Sequence, residues 1–144
     1  GTLILNVKEE GLEEQCLKLM AQHRIEDFFF LDQSFPFLVK TAKIGESRCA
    51  VRVSEFENIH TAITLAGKVQ WVWIDCFTKF PLDLSSATLL KENGFKLCIV
   101  SPELQGRMEI SDTNEIMTAM NSAGVVPDAI CTKFPERWLN KLDR

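Results

Sequence analysis

Hydrophobic and polar positions along this chain fall into two rhythms that take turns. Short runs of β-branched and aromatic residues, of strand length, alternate with stretches whose apolar residues recur every three or four positions, the spacing of one helix face. The pair recurs six times, at intervals of about 20 to 30 residues. The first unit reads as a strand over Leu3 to Lys8 and a helix from Leu12 to His23, with Leu12, Cys16, Leu19 and Met20 on one face. The second is Asp27 to Leu31 and a short helix that Ser34 and Pro36 open, carrying Leu38, Val39 and Ala42 and ended by Gly45. In the third, Arg48 to Val53 is followed by Ser54-Glu55-Phe56-Glu57, which has the form of a capping box, and by a helix carrying Phe56, Ile59 and Ile63 up to Gly67.

The fourth unit predicts a strand over Val69 to Phe77 and a helix over Ser85 to Asn93, which Asn93-Gly94 closes. The fifth strand, Phe95 to Ser101, runs into the longest connection, Pro102 to Ile110, where a functional loop is expected. Asp112 and Glu115 then open a helix with Ile116, Met117, Met120 and Ala123 inward. The sixth strand, Asp128 to Thr132, precedes a closing helix with Pro135 near its start and Trp138, Leu139 and Leu142 on one side. Strands alternating with helices predict an α/β fold of six parallel βα units joined by right-handed crossovers. Residues 1–144 read as a single domain, with no low-complexity linker.

Composition leaves that picture intact: 46% hydrophobic and 25% charged residues belong to a folded globular domain, and no apolar stretch is long enough to span a membrane. The net charge of −4, without a Lys/Arg run, argues against nucleic acid as a partner. No basic-then-apolar leader is present, and the five cysteines are odd in number and widely spaced, so buried free thiols and a cytoplasmic location are expected. Gly1 reads as a residue left by expression, with further chain expected upstream.

In parallel α/β folds the C-terminal ends of the strands share one rim, where ligands bind. The polar residues predicted there are Asn6, Lys8, Asp32, Arg52, Ser54, Asp75, Ser101, Glu103, Thr132 and Lys133. Lys8, Arg52 and Asp75 lie in apolar runs, where an unpaired charge costs several kcal/mol, so Lys8 and Arg52 are each expected to have a carboxylate or a bound anion beside them, and Asp75 to pair with Lys8 or Arg52. Helix N-termini on the same rim favour an anion such as phosphate. Asp32, Asp75 and Glu103 are oxygen donors of the kind that hold a hard divalent cation, Mg or Ca. Trp71 and Trp73 share one strand face; core packing is the first expectation for both, with Trp73 as a wall for a ring-shaped ligand the second. The two histidines, His23 and His60, fall in or at the end of helices, and neither a Gly-rich phosphate loop nor a nucleophile elbow occurs.

Six segments carry a resemblance. Leu5-Asn6-Val7-Lys8, Phe28-Phe29-Phe30-Leu31-Asp32, Arg52-Val53-Ser54-Glu55, Trp73-Ile74-Asp75-Cys76-Phe77, Leu97-Cys98-Ile99-Val100-Ser101-Pro102-Glu103-Leu104 and Cys131-Thr132-Lys133-Phe134-Pro135-Glu136 come in an order that resembles glycerophosphodiester phosphodiesterases and phosphatidylinositol-specific phospholipases. The resemblance implies an incomplete (β/α)8 TIM barrel of the phospholipase C-like phosphodiesterase type, with these units as strands three to eight. It also implies a family activity, phosphodiester cleavage by two histidines, with a carboxylate-held cation in the metal-dependent members. The family's His-Arg motif, Glu-x-Asp motif and second histidine have no counterpart here, so the chain itself is expected to be inactive. Where the family has Glu-x-Lys, this chain has Asn6-Val7-Lys8, which weakens a metal site built on Asn6 and Asp32. Lys8 matches the family lysine, and Arg52, Asp75 and Glu103 match rim positions of one subgroup. The expected ligand is a small phosphodiester or phosphate, with Lys8, Arg52, Asp75, Glu103 and Trp73 as candidate contacts. Two alternatives stay open: a non-catalytic phosphate- or polyol-phosphate-binding domain, and an independent open sheet whose strand order reverses. An incomplete barrel would leave Leu3 to Lys8 and Asp128 to Thr132 as edges, for which homo-oligomerisation is the expected remedy.

Overall fold

The computed structural model describes residues 1–139. Among them six strands and six α-helices alternate in chain order: β1 Leu3–Asn6, α1 Glu13–Gln22, β2 Phe28–Leu31, α2 Phe35–Lys43, β3 Ala50–Val53, α3 Ile59–Ile63, β4 Trp71–Ile74, α4 Leu84–Glu92, β5 Lys96–Val100, α5 Ile110–Ser122, β6 Ala129–Cys131 and α6 Glu136–Leu139. All strand pairs are parallel, in a two-stranded sheet β1-β2 and a four-stranded sheet β3-β4-β5-β6. A single parallel bridge, Phe30 opposite Cys49, joins the two. Strand succession therefore follows chain order, and the reversal required by an open doubly wound sheet is absent among the described residues. On their outer sides β1 and β6 have no strand partner among those residues.

Alternation along each strand divides the apolar residues between two faces. Phe28, Phe30, Val51, Val53, Val72, Ile74, Leu97 and Ile99 meet Leu38, Ala62, Leu65, Ala87, Leu90, Ile116, Met117 and Met120 in the main core. On the opposite face Phe29, Leu31, Ala50, Trp71, Trp73, Cys98 and Val100 form a second cluster, with Ile4, Leu104, Ala129 and Cys131 against it. Among the described residues no α-helix packs against this second face, yet both tryptophans are only 6% exposed. Curvature explains it: the Phe29 ring on β2 stacks on Trp71 of β4 at 4.8 Å, although strands two apart in a flat sheet stand about 9.6 Å from each other. The sheet is bent with this face inside.

Several boundaries differ from the sequence reading for local reasons. The Ser54–Glu57 segment closes on itself as a turn, with Ser54 Oγ donating to Glu57 at 2.8 Å, and α3 begins only at Ile59, where Asn58 accepts from the His60 N–H. Phe56 therefore lies outside the helix and is 77% exposed. Leu19 is exposed, while Leu17 joins Cys16 and Met20 against the core. Helix α5 starts earlier than expected because Glu109 and Asp112 form its capping box. Leu139 is exposed, and Leu142, assigned to the same apolar stripe, lies outside the described residues.

Candidate functional site at the strand ends

The inner face is apolar along most of its length and turns polar at the C-terminal ends of the strands. Asn6 follows Ile4, Arg52 follows Ala50 and Asp75 follows Trp73, each two residues on and therefore on the same side. All of these but Ala50, together with Leu31, Asp32, Val100, Leu104, Gln105 and Cys131, line a cavity of about 440 Å³ that receives side chains from all six strands. Of the rim positions expected from the sequence, Asn6, Asp32, Arg52 and Asp75 line this cavity, with Trp73 beside them.

Charge pairing within the mouth is specific. Arg52 donates from Nη2 to Asp32, and its Nε lies 3.3 Å from Asp75 Oδ2 without hydrogen-bond alignment. Asp32 also receives Lys8 Nζ at 3.0 Å, and Asp75 receives the Gln105 side-chain amide. Two cations thus face two carboxylates. Asp75 is 2% exposed; burial pushes its carboxyl above the usual range, while Gln105 and Arg52 pull it back only in part. The expected opposite charges beside Lys8, Arg52 and Asp75 are all present. Lys8 itself lies beyond the end of β1 with its side chain 73% exposed, so the apolar run preceding it does not bury it.

Asp32 has a left-handed backbone, φ 61°, a conformation that Asp adopts more readily than most residues. The twist takes the chain out of β2 immediately after Leu31 and leaves the β2–β3 ladder at one bridge. A slot of about 670 Å³ opens there, bounded by Leu31, Asp32, Gln33 and Phe35 on one side and by Ala50, Arg52, Phe56 and Asn58 on the other.

Glu103 does not join the mouth. Its carboxylate accepts from the hydroxyls of Ser101 and Thr132 and from the Lys133 N–H, and Ser101 Oγ in turn accepts from Trp138 Nε1 at 3.0 Å. Burial raises the Glu103 carboxyl, but these donors outweigh it and hold it below its usual range. It fastens the ends of β5 and β6 and the start of α6, and does not line the cavity that Asn6, Arg52 and Asp75 share. Asp32, Asp75 and Glu103 consequently do not converge, and among the described residues no group of three or more His, Cys, Asp or Glu side chains is arranged to hold a metal. Asp32 is committed to Lys8 and Arg52, and Asn6 adds only an amide. Trp73 lines the cavity but is held in the core beside Phe29, at 6.4 Å between rings. His23 caps the far end of α1 and His60 is exposed on α3; neither lines the mouth. All five cysteines are free, and Cys131 borders the cavity.

Gln105 went unnamed in the sequence reading, although its connection was singled out for its length. Pro102–Gln105 forms a 3-10 turn that Gly106 ends in the left-handed region, placing Leu104 on the inner cluster and Gln105 on Asp75. No protein-family model matches the chain, and no curated protein matches it. No described helix is long and apolar enough to cross a membrane.

Proposed function

We propose that this chain contributes strands three to eight of a glycerophosphodiester phosphodiesterase-like barrel, and that its mouth binds the phosphate and polyol portion of a phosphodiester without cleaving it. One observation carries the reading: Arg52 stands in a cavity that all six consecutive parallel strands line, between two carboxylates that an incoming anion can replace. A guanidinium is suited to bidentate contact with phosphate oxygens. Lys8, held only by an exposed pair with Asp32, swings onto the same anion at little cost. Asn6, Asp75 and Gln105 offer the mixture of donors and acceptors that polyol hydroxyls require.

Cleavage by the family mechanism needs groups that titrate near neutrality at the reacting phosphorus, and neither histidine lines the cavity. Asn6 in place of the family's carboxylate favours a second reading, in which the complete parent is itself non-catalytic and keeps only a phosphate- or polyol-phosphate-binding pocket, since an amide at that point weakens cation binding. Self-association through the outer sides of β1 and β6 belongs to the same barrel reading.

Titration calorimetry with inorganic phosphate and sn-glycerol 3-phosphate tests it. Binding of either is expected to be lost in Arg52→Gln, and the chain is expected to release no alcohol from a glycerophosphodiester. Absence of binding in the parent, or equal binding in Arg52→Gln, refutes the site. Hydrolysis that persists through purification and disappears in Arg52→Gln refutes the non-catalytic part.

A further inference from the structure

The slot between β2 and β3 is a polar cleft with aromatic edges. Asp32, Gln33, Arg52, Glu57, Asn58 and Thr61 supply half of its lining residues. Two phenyl rings also border it, Phe35 at 46% and Phe56 at 77% exposure. They come from opposite walls: Phe35 begins α2, while Phe56 lies in the turn ahead of α3 and touches Phe77 at 5.7 Å. At about 670 Å³ the slot has the size of ordinary ligand cavities, and exposed rings on both walls offer π faces to a flat ligand.

The polar groups specify what that ligand carries. Gln33 Nε2 donates to Glu13 and to Thr41, both at 2.9 Å, and the Thr41 hydroxyl is itself spent on the Phe37 carbonyl. This network fixes which end of the Gln33 amide is which. It leaves Oε1 a buried acceptor without a hydrogen-bond partner among the described residues, a group that costs stability until a donor meets it. Glu57 adds acceptor capacity, since Ser54 Oγ takes one of its two oxygens. Asn58 is turned the other way: its Oδ1 accepts from the His60 N–H, so its amide NH2 is the group left to donate. Charges of both signs line the slot, Arg52 against Asp32 and Glu57, which favours a neutral ligand over an ion of either sign.

We infer that the slot binds a nucleobase with an exocyclic amine, cytosine or adenine, stacked against Phe35 and Phe56. The amine donates to Gln33 Oε1 and to Glu57, and the ring nitrogen beside it accepts from Asn58. An exocyclic NH2 brings two donors to these two acceptors, whereas uracil brings a single ring N–H. The ligand is a free nucleoside or mononucleotide, because a net charge of −4 without a Lys/Arg run disfavours a nucleic acid polymer. Nothing in this site depends on phosphate at Arg52, since the base alone satisfies the slot.

The test follows the side-chain amide NMR signals of Gln33 and Asn58 in the nitrogen-15-labelled chain during titration with cytidine, adenosine, uridine and ribose. Cytidine and adenosine should move both signals and bind about tenfold tighter than uridine, which leaves one acceptor without a donor. Ribose should move neither. Phe56→Ser should weaken cytidine about tenfold through lost stacking, and Glu57→Gln should shrink the preference for cytidine over uridine. Both side chains are exposed, so the two variants keep the fold, which circular dichroism checks. Signals that stay still with every nucleoside, or that move as far with ribose as with cytidine, overturn the inference. Equal affinity for cytidine and uridine overturns the role of the amine, and cytidine binding unchanged in Phe56→Ser overturns the stacking. Inorganic phosphate, titrated separately, reports on Arg52, so the base site and the phosphate site can each fail alone.

Discussion

Removal of the Arg52 charge should expose how much the mouth depends on it. In Arg52→Leu the side chain keeps an apolar stem, while Asp75, with its side chain 3% exposed, loses the cation paired with it among the described residues and retains the amide donor of Gln105. Stripping one partner from a fully buried pair costs about 3–5 kcal/mol. Here the guanidinium side chain is 34% exposed, so solvent already screens it, and Asp32 keeps Lys8. The expected loss at pH 8 is therefore about 2 kcal/mol, a fall in Tm of about 6 °C for a chain of this size. The sign with pH follows from Asp75. Its folded carboxyl already lies above its usual range because of burial, and losing Arg52 raises it further. A raised carboxyl stabilises the protonated folded state, so the penalty is absent below the unfolded value of about 3.9, grows as pH rises, and is complete above the folded pKa. Urea melts at pH 4.5 and pH 8 should show the difference between parent and variant widening with pH. Asp75→Asn in the same background, which removes the stranded charge, should return most of the stability at pH 8. An equal loss at both pH values, unrelieved by Asp75→Asn, would mean that the stem's packing matters and the charge does not.

Glu103→Ala strands the Lys133 N–H and two hydroxyls, one of them on the fully buried Ser101, and should cost about 3 kcal/mol in a urea melt. Because the Glu103 carboxyl is depressed, its contribution is present above about pH 4.3 and vanishes as pH falls through its folded value, so Glu103→Gln should show weaker acid destabilisation than the parent. Phosphate arriving at Arg52 should raise the Asp75 carboxyl still more, so binding is expected to take up protons and to tighten as pH falls. Calorimetry in two buffers of different ionisation enthalpy measures that uptake, and Asp75→Asn should abolish it.

Much of this architecture is written locally. A period of two over Trp71-Val72-Trp73-Ile74-Asp75 assigns Asp75 to the same side as both tryptophans wherever the strand lies, and apolar spacing at Ile116, Met117 and Met120 fixes the buried side of α5 in the same way. Backbone hydrogen bonding and burial set these repeats within one element, so six units, their direction and the polar tips at one rim were all legible beforehand. Boundaries were less so. Ser54 and Glu57 satisfy the capping-box pattern, but they bond to each other in a turn, and nothing in four residues distinguishes that outcome from a helix start.

Partner choice was settled only in three dimensions. Glu103 and Asp75 look alike along the chain, each an acid at a strand end, yet one anchors β6 and α6 and the other faces Arg52, because side chains 20 to 30 positions apart are brought together by register and sheet curvature. Asp32 shows the same division: its identity and place after β2 were plain, while its left-handed twist and the slot it opens exist only once β2 and β3 lie side by side. The sequence by itself determined which residues reach the rim, since that follows from a repeat two residues long; tertiary structure decided which of them meet, since that depends on where strands distant in the chain are set down.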